Sequence, residues 1–322
     1  MTAVRDLSLE TMQLEQNGRV LTVRYSCPPL NFMTMAFSRD LDRLTSGVDR
    51  DPTVGAVVLT GGVENRFLTH ADPREFGALQ KLPHPTLSMR ILELVVPLLN
   101  LLRLPGFVNA LDRFGGVFGK GIVWAYRWKR AVLRMNRSGV VYIAAINGPT
   151  LEGGQEIALA CDLRYAADSV HVRMGNQEML VGVIPGGGGT HRMLRMLGTA
   201  RVLEHVLEAA SLSAAEALAL GLVHRLFPEH QLLAEAQAKA ALFARRSPVA
   251  IAAVKRCLYF GSHLPISRAL DLELAGFLAA GFSRGSSHAL QPFLDDLERL
   301  GDTPFLADPK PWIEGTRVDL TG

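Results

Sequence analysis

Residues 140–161 of the chain spell a strand, a turn and a helix without interruption, and that order commits the chain to layers of sheet and helix. Val140-Val-Tyr-Ile-Ala-Ala-Ile146 is a short apolar run of the kind found in buried strands. Asn147-Gly148-Pro149 breaks it. Gly153 and Gly154 then open a helix through Cys161. With no side chains there, the first-turn amides are open to a ligand. They suit an anionic oxygen, because they lack internal partners and the helix dipole adds positive potential. Glu156 sits in that first turn. Glu178 lies beside a second glycine-rich turn, Pro185-Gly-Gly-Gly-Gly189-Thr190. Two acids delivered by two such turns can face one small reacting group, one as general base and the other as general acid.

The rest of the chain supports the α/β reading. Met12–Gln16 and Arg19–Tyr25 alternate in polarity around Asn17-Gly18, the pattern of a hairpin. Phe37–Val48 reads as a helix and Ala56–Leu59 as a buried strand. Beyond Thr199 the pattern turns helical: Ala200–Ala209, Ala214–Leu220, Gln231–Arg246, Pro248–Phe260 and Pro265–Phe282.

These motifs, in this order, closely resemble the crotonase (enoyl-CoA hydratase/isomerase) superfamily. The matching stretches are Val54–Gly61, Arg66–Asp72, Ile143–Gly148, Gly153-Gly-Gln-Glu156, Cys161-Asp162, Glu178 with Gly182–Thr190, and Leu212–Val223. The resemblance implies an α/β fold, a spiral of repeated β-β-α turns with a C-terminal helical region. It divides the chain into a spiral core (1–198), a helical cap and oligomerisation region (199–302) and a proline-rich tail (303–322). It implies an acyl-CoA substrate, with coenzyme A carried by the substrate and no separate cofactor. The backbone N–H groups at the positions matching Ala71 and Gly153 form an oxyanion hole for the thioester oxygen. Glu156 and Glu178 match the two glutamates with which hydratases of the family handle the added water. The leading expectation is therefore hydration of a 2-enoyl-CoA. The alternatives are isomerisation, carbon–carbon cleavage, or acyl-CoA binding without catalysis. A homo-oligomer, a trimer or dimer of trimers, is expected on the same ground.

The chain departs from the family pattern in four places. His70 stands where a glycine usually precedes the oxyanion alanine, and Glu152 replaces the family's third glycine. Both are candidate pocket residues, with Gly154 and Pro185. The stretch from Ser169 to Glu178 is about two residues longer than usual. Counting forward from Asp162 without a gap selects Asn176 as the second acid position, while counting back from Pro185 selects Glu178. The gapless match from Glu178 to Thr190 favours the latter. Finally, about 77–134 is an apolar and basic insertion: residues 81–137 hold ten Lys/Arg against Glu93 and Asp112, a net +8. Three readings of it stay open: a cap lining the acyl pocket, an oligomer contact, or an amphipathic membrane-surface element. Trp124, Tyr126 and Trp128 within it are at helical spacing and fit packing better than base stacking.

Several classes are excluded or disfavoured. A net charge of +3 gives no argument for nucleic acid. Cys27, Cys161 and Cys257 are an odd number without metal-like spacing, which favours a reduced, cytoplasmic setting. No apolar signal core opens the chain. No His-Glu-x-x-His or similar cluster suggests a metal, and no Gly-Lys-Ser/Thr follows the glycines at 186–189, so a Walker-type phosphate loop is not expected. Asp162 reads as a structural turn or cap.

Overall fold

A computed structural model describes residues 3–80, 88–104 and 106–321. Lys81 and Pro105 of the insertion lie outside the described residues. The strands are β1 (Met12–Asn17), β2 (Val20–Tyr25), β3 (Ala56–Gly61), β4 (Val141–Ile146), β5 (Thr150–Leu151), β6 (Leu163–Ala167), β7 (Arg173–Gly175), β8 (Leu212–Ser213) and β9 (Arg225–Phe227). The main sheet has the order β1-β2-β3-β4-β6-β9. Only the β1–β2 hairpin is antiparallel. Its turn places Gly18 at φ +54, which glycine adopts freely. Burial follows from this order: every residue of β3 is buried, as a central parallel strand requires, whereas β1 at the edge alternates. A small second sheet, β5-β7-β8, lies apart.

The helices are α1 (Met35–Val48), α2 (Pro73–Gln80), α3 (Met89–Val95), α4 (Phe107–Phe114), α5 (Gly116–Met135), α6 (Gly153–Ala160), α7 (Gly189–Leu197), α8 (Thr199–Glu208), α9 (Ala214–Ala219), α10 (Leu232–Phe243), α11 (Pro248–Arg256), α12 (Ile266–Gly281), α13 (Arg284–Leu300), α14 (Pro304–Ala307) and α15 (Lys310–Ile313). Thr34 caps α1 by accepting from the Phe37 N–H, and Ser213 and Glu216 form a reciprocal capping box on α9. Small side chains on α10, Ala236 and Ala240, are fully buried as that helix crosses β2, β3 and β4.

Two sequence expectations need correction. The stretch beyond Thr199 is not wholly helical: β8 pairs with β7, and β9 extends the main sheet beside β6. The helix read as Pro248–Phe260 ends at Arg256 and widens into a π-helical turn over Cys257–Gly261. The helix α13 had no signal of its own, because Pro292 lies inside it and interrupts the helical pattern. The tail folds back on α13: Phe305 and Trp312 pack on Phe293 at 5.2 and 5.9 Å, and the Trp312 indole N–H donates to Asp296.

Within the insertion, α3 and α4 bury no residue, and Leu94 and Phe114 are largely exposed. By contrast α5 is locked down. Arg130 and Arg134 reach Asp42 on α1, and Arg134 also donates to Thr45 at 2.8 Å. Asp162 proves structural: it accepts from the Tyr142 N–H, the Lys255 ammonium at 2.7 Å and the Tyr259 hydroxyl, tying β4 to α11. Among the described residues no helix is long and apolar enough to cross a membrane.

Candidate active site

The chain segments that leave β3 and β4 run side by side beyond the carboxyl ends of these parallel strands, where open α/β sheets place their sites. Asn147 holds the two ends together, accepting from the Gly61 N–H at 3.1 Å and donating to the Gly61 carbonyl. A parallel bridge then pairs Leu68 with Thr150. Extending that offset brings His70 toward Glu152 and Ala71 toward Gly153. A second bridge, Met33 with Ala71, fixes the outer side. There the Met33 N–H donates to the His70 carbonyl and the Asp72 N–H to the Met33 carbonyl, so the Ala71 N–H is turned away from Met33. Gly153 is the first residue of α6, and its N–H has no intrahelical acceptor. The two amides singled out in the sequence therefore belong to adjacent, cross-braced segments.

Gly154 serves close packing: a Cβ there would stand 2.0 Å from the Leu68 carbonyl oxygen. Glu152 caps the helix at φ +52, ψ −121, a region glycine takes without strain. Its carboxyl is raised above the usual range by burial, a rise opposed by His70. The His70 ring lies 4.4 Å from Phe32 between centroids, with Nδ1 2.9 Å from the Ala71 carbonyl oxygen. Both departures from the family pattern thus flank the amide pair.

Glu156 is 4% exposed. Its Oε1 accepts from the Gly187 N–H at 2.6 Å and the Gly189 N–H at 2.9 Å. Burial pushes its carboxyl up to about 7, against the pull of those two amides, while Glu178 adds to the rise and Arg192 opposes it. The glycine-rich loop is thus a cradle for a carboxylate. Pro185 is buried behind it, 3.0 Å from where a Cβ on Gly189 would lie. The helix after the loop begins at Gly189.

Glu178 is 6% exposed and opens a 3₁₀ turn after β7. Its Oε1 accepts from the Asn176 amide at 3.1 Å, and among the described residues Oε2 has no partner. Burial raises its carboxyl, and the charge of Glu152 adds to the rise. Asn176, the other residue that counting could have selected, is fully buried; its side chain is spent between Gln155 and Glu178. Asn176 thus orients Glu178.

One contributor escaped sequence reasoning. Trp128 on α5 is 4% exposed, and its indole N–H lies 3.4 Å from the Gly187 carbonyl. A Cβ on Gly187 would meet Trp128 Nε1 at 2.4 Å and Glu156 Oε2 at 2.5 Å. The Trp124–Trp128 spacing marked a helix face, but nothing local could show that the face meets a loop some sixty residues later. Among the described residues no group of three His, Cys, Asp or Glu could hold a metal ion.

The arrangement offers two buried carboxyls, each with one oxygen held by N–H donors, on the same side of the sheet as a pair of backbone amides. Comparison with known proteins bears on the family. A family model described as Enoyl-CoA hydratase/isomerase matches residues 126–298. The chain is 30% identical over 290 residues to a probable enoyl-CoA hydratase of Bacillus subtilis, covering 88% of this chain and 95% of that protein. It is 27% identical over 291 residues to the short-chain-enoyl-CoA hydratase of Clostridium acetobutylicum, covering 90% of this chain and 96% of that one. A solved enoyl-CoA hydratase structure from Geobacillus kaustophilus superposes with a TM-score of 0.73 at 22% identity, covering 90% and 96% of the two chains, which speaks to the fold alone.

Proposed function

The chain belongs to the enoyl-CoA hydratase/isomerase (crotonase) family, and from that premise we propose that it adds water across the double bond of a 2-enoyl-CoA thioester. The observation that carries the reading is the pair of buried carboxyls with differently held oxygens. Burial raises both carboxyls; Glu156, whose Oε1 is held in place by two N–H donors, is assigned as the base. Glu178, raised by burial and by the charge of Glu152, is assigned as the acid.

Glu156 takes a proton from water as the water oxygen bonds to the β-carbon. The π electrons move toward the thioester, and the oxygen gains negative charge that the Ala71 and Gly153 N–H groups receive. Glu178 then delivers its proton to the α-carbon, and the enolate collapses to the 3-hydroxyacyl thioester. Proton exchange with solvent resets both acids. Coenzyme A enters and leaves as part of the substrate. Removing one amide donor from such a hole costs on the order of 3 kcal/mol of transition-state stabilisation. Assembly into a homo-oligomer is proposed with it, and the exposed Ile266, Leu270, Leu274 and Phe277 of α12 support that reading.

Loss of enoyl absorbance with a panel of 2-enoyl-CoA thioesters is the direct test. Glu156→Gln and Glu178→Gln should each lower turnover by roughly 10²–10⁴. A folded wild type that hydrates no thioester refutes the reading. His70 and Glu152 beside the amide pair favour, as the second reading, double-bond isomerisation or carbon–carbon hydrolysis, and product analysis with 3-enoyl and β-diketone substrates separates these.

A further inference from the structure

We infer that Trp128 sets which acyl groups reach the two carboxyls, by forming a rigid wall against the α- and β-carbons; this rests on the acyl-thioester reading above. The indole touches both halves of the site. Its Cη2 lies 3.4 Å from where a Cβ on Gly153 would stand, on the residue whose N–H faces the thioester oxygen. Its Nε1 faces Gly187, whose own N–H holds Glu156. A ring spanning those two points runs alongside the carbons between thioester and base. Met33 closes the remaining corner, with Cε 2.2 Å from the same Gly153 position.

The wall has no give. Phe37 backs the indole at 6.0 Å and Trp124 at 5.3 Å between centroids. Its helix is pinned to α1 through Arg130, Arg134 and Asp42, so it cannot slide aside to admit a bulkier group. A branch on the α- or β-carbon would need the volume the indole fills. Unbranched acyl groups are therefore the accepted class, and the discrimination belongs to a helix that carries no acid or base of the reaction. The indole N–H has a second effect through the Gly187 carbonyl: it steadies the loop that cradles Glu156, which makes Trp128 a positioning residue as well.

The test compares wild type, Trp128→Leu and Trp128→Phe with unbranched and 2-methyl-branched thioesters. Binding of saturated butanoyl-CoA and 2-methylbutanoyl-CoA is measured by calorimetry, and turnover of the corresponding 2-enoyl-CoA pair by absorbance. Trp128→Leu should shift the branched-to-unbranched ratio toward the branched substrate by about tenfold in both binding and kcat/KM, the scale on which a pocket discriminates a methylene-sized group. Trp128→Phe should leave the binding ratio near wild type and lower kcat a few-fold with little change in KM. Ratios unchanged in folded Trp128→Leu overturn the inference. A shifted binding ratio in an enzyme that hydrates nothing upholds the wall and refutes only the hydratase reading.

Discussion

Glu156 is held at the site at a cost to the fold, and Glu156→Gln should expose that cost. Burial raises its carboxyl from 4.5 to about 7, so the folded chain binds this proton more tightly than the unfolded chain does. The native state is therefore favoured at low pH, and the advantage is lost as pH rises from the unfolded value through about 7. The difference converts to about 3 kcal/mol of destabilisation once the group is ionised on both sides of the equilibrium. Glutamine keeps an oxygen that can accept from the Gly187 and Gly189 N–H groups, but it never ionises. The variant should be more stable than wild type by up to about 3 kcal/mol near pH 8, with the gap closing toward about pH 4.5. Urea denaturation across that range, followed by far-ultraviolet circular dichroism, measures it. A variant no more stable than wild type near pH 8, or a gap that ignores pH, would refute the claim that burial rather than charge pairing governs this carboxyl.

Other substitutions test the surrounding geometry. Gly187→Ala should leave the chain folded but cut turnover by about 10², because its Cβ would meet both Glu156 and Trp128 and misplace the base; a thermal melt beside an activity assay checks both halves. Glu152→Gly should raise stability by about 1 kcal/mol by relieving the positive φ, read as a higher urea midpoint. Lys255→Met should cost about 3 kcal/mol, since it removes the ammonium from the mostly buried carboxylate of Asp162; urea titration decides it. The kcat–pH profile should lose activity below about 7 as Glu156 takes up its proton, and that acid limb should be missing from any residual activity of Glu156→Gln.

The fold was legible because its strands are short apolar runs punctuated by glycine, asparagine and proline, and each neighbour in the main sheet follows in chain order. The burial of Glu156 was legible for the same reason: it sits at a fixed offset from a glycine pair whose role is local. Glu178 was harder. The longer stretch from Ser169 to Glu178 shifts the forward count, and what the structure adds is that the buried Asn176 side chain is taken up between Gln155 and Glu178. Trp128 could not be found at all. Its partners, Gly153 and Gly187, are far away in sequence, and periodicity reports only that some face is covered. The β9 strand was missed because three residues between helices carry too little alternation to register.

The segment from Asp72 to β4 departs and returns at two anchored points: the Asp72 N–H is fixed to the Met33 carbonyl, and the Val141 N–H to the Gly55 carbonyl. What lies between can lengthen at small thermodynamic expense, since doubling a loop costs only about 0.6 kcal/mol of closure entropy. The chain thus separates two inheritances. On the proposed reading the two acids and the amide pair sit on the short, cross-braced segments after β3, β4 and β7, where a one-residue slip would be ruinous. On the same reading, recognition of the acyl group falls to a cassette that can be replaced wholesale, provided its last helix still docks on α1 and presents a side chain to the glycine loop. Grafting the corresponding segment of a relative with a different acyl preference into this chain should carry the preference across and leave the catalytic steps intact.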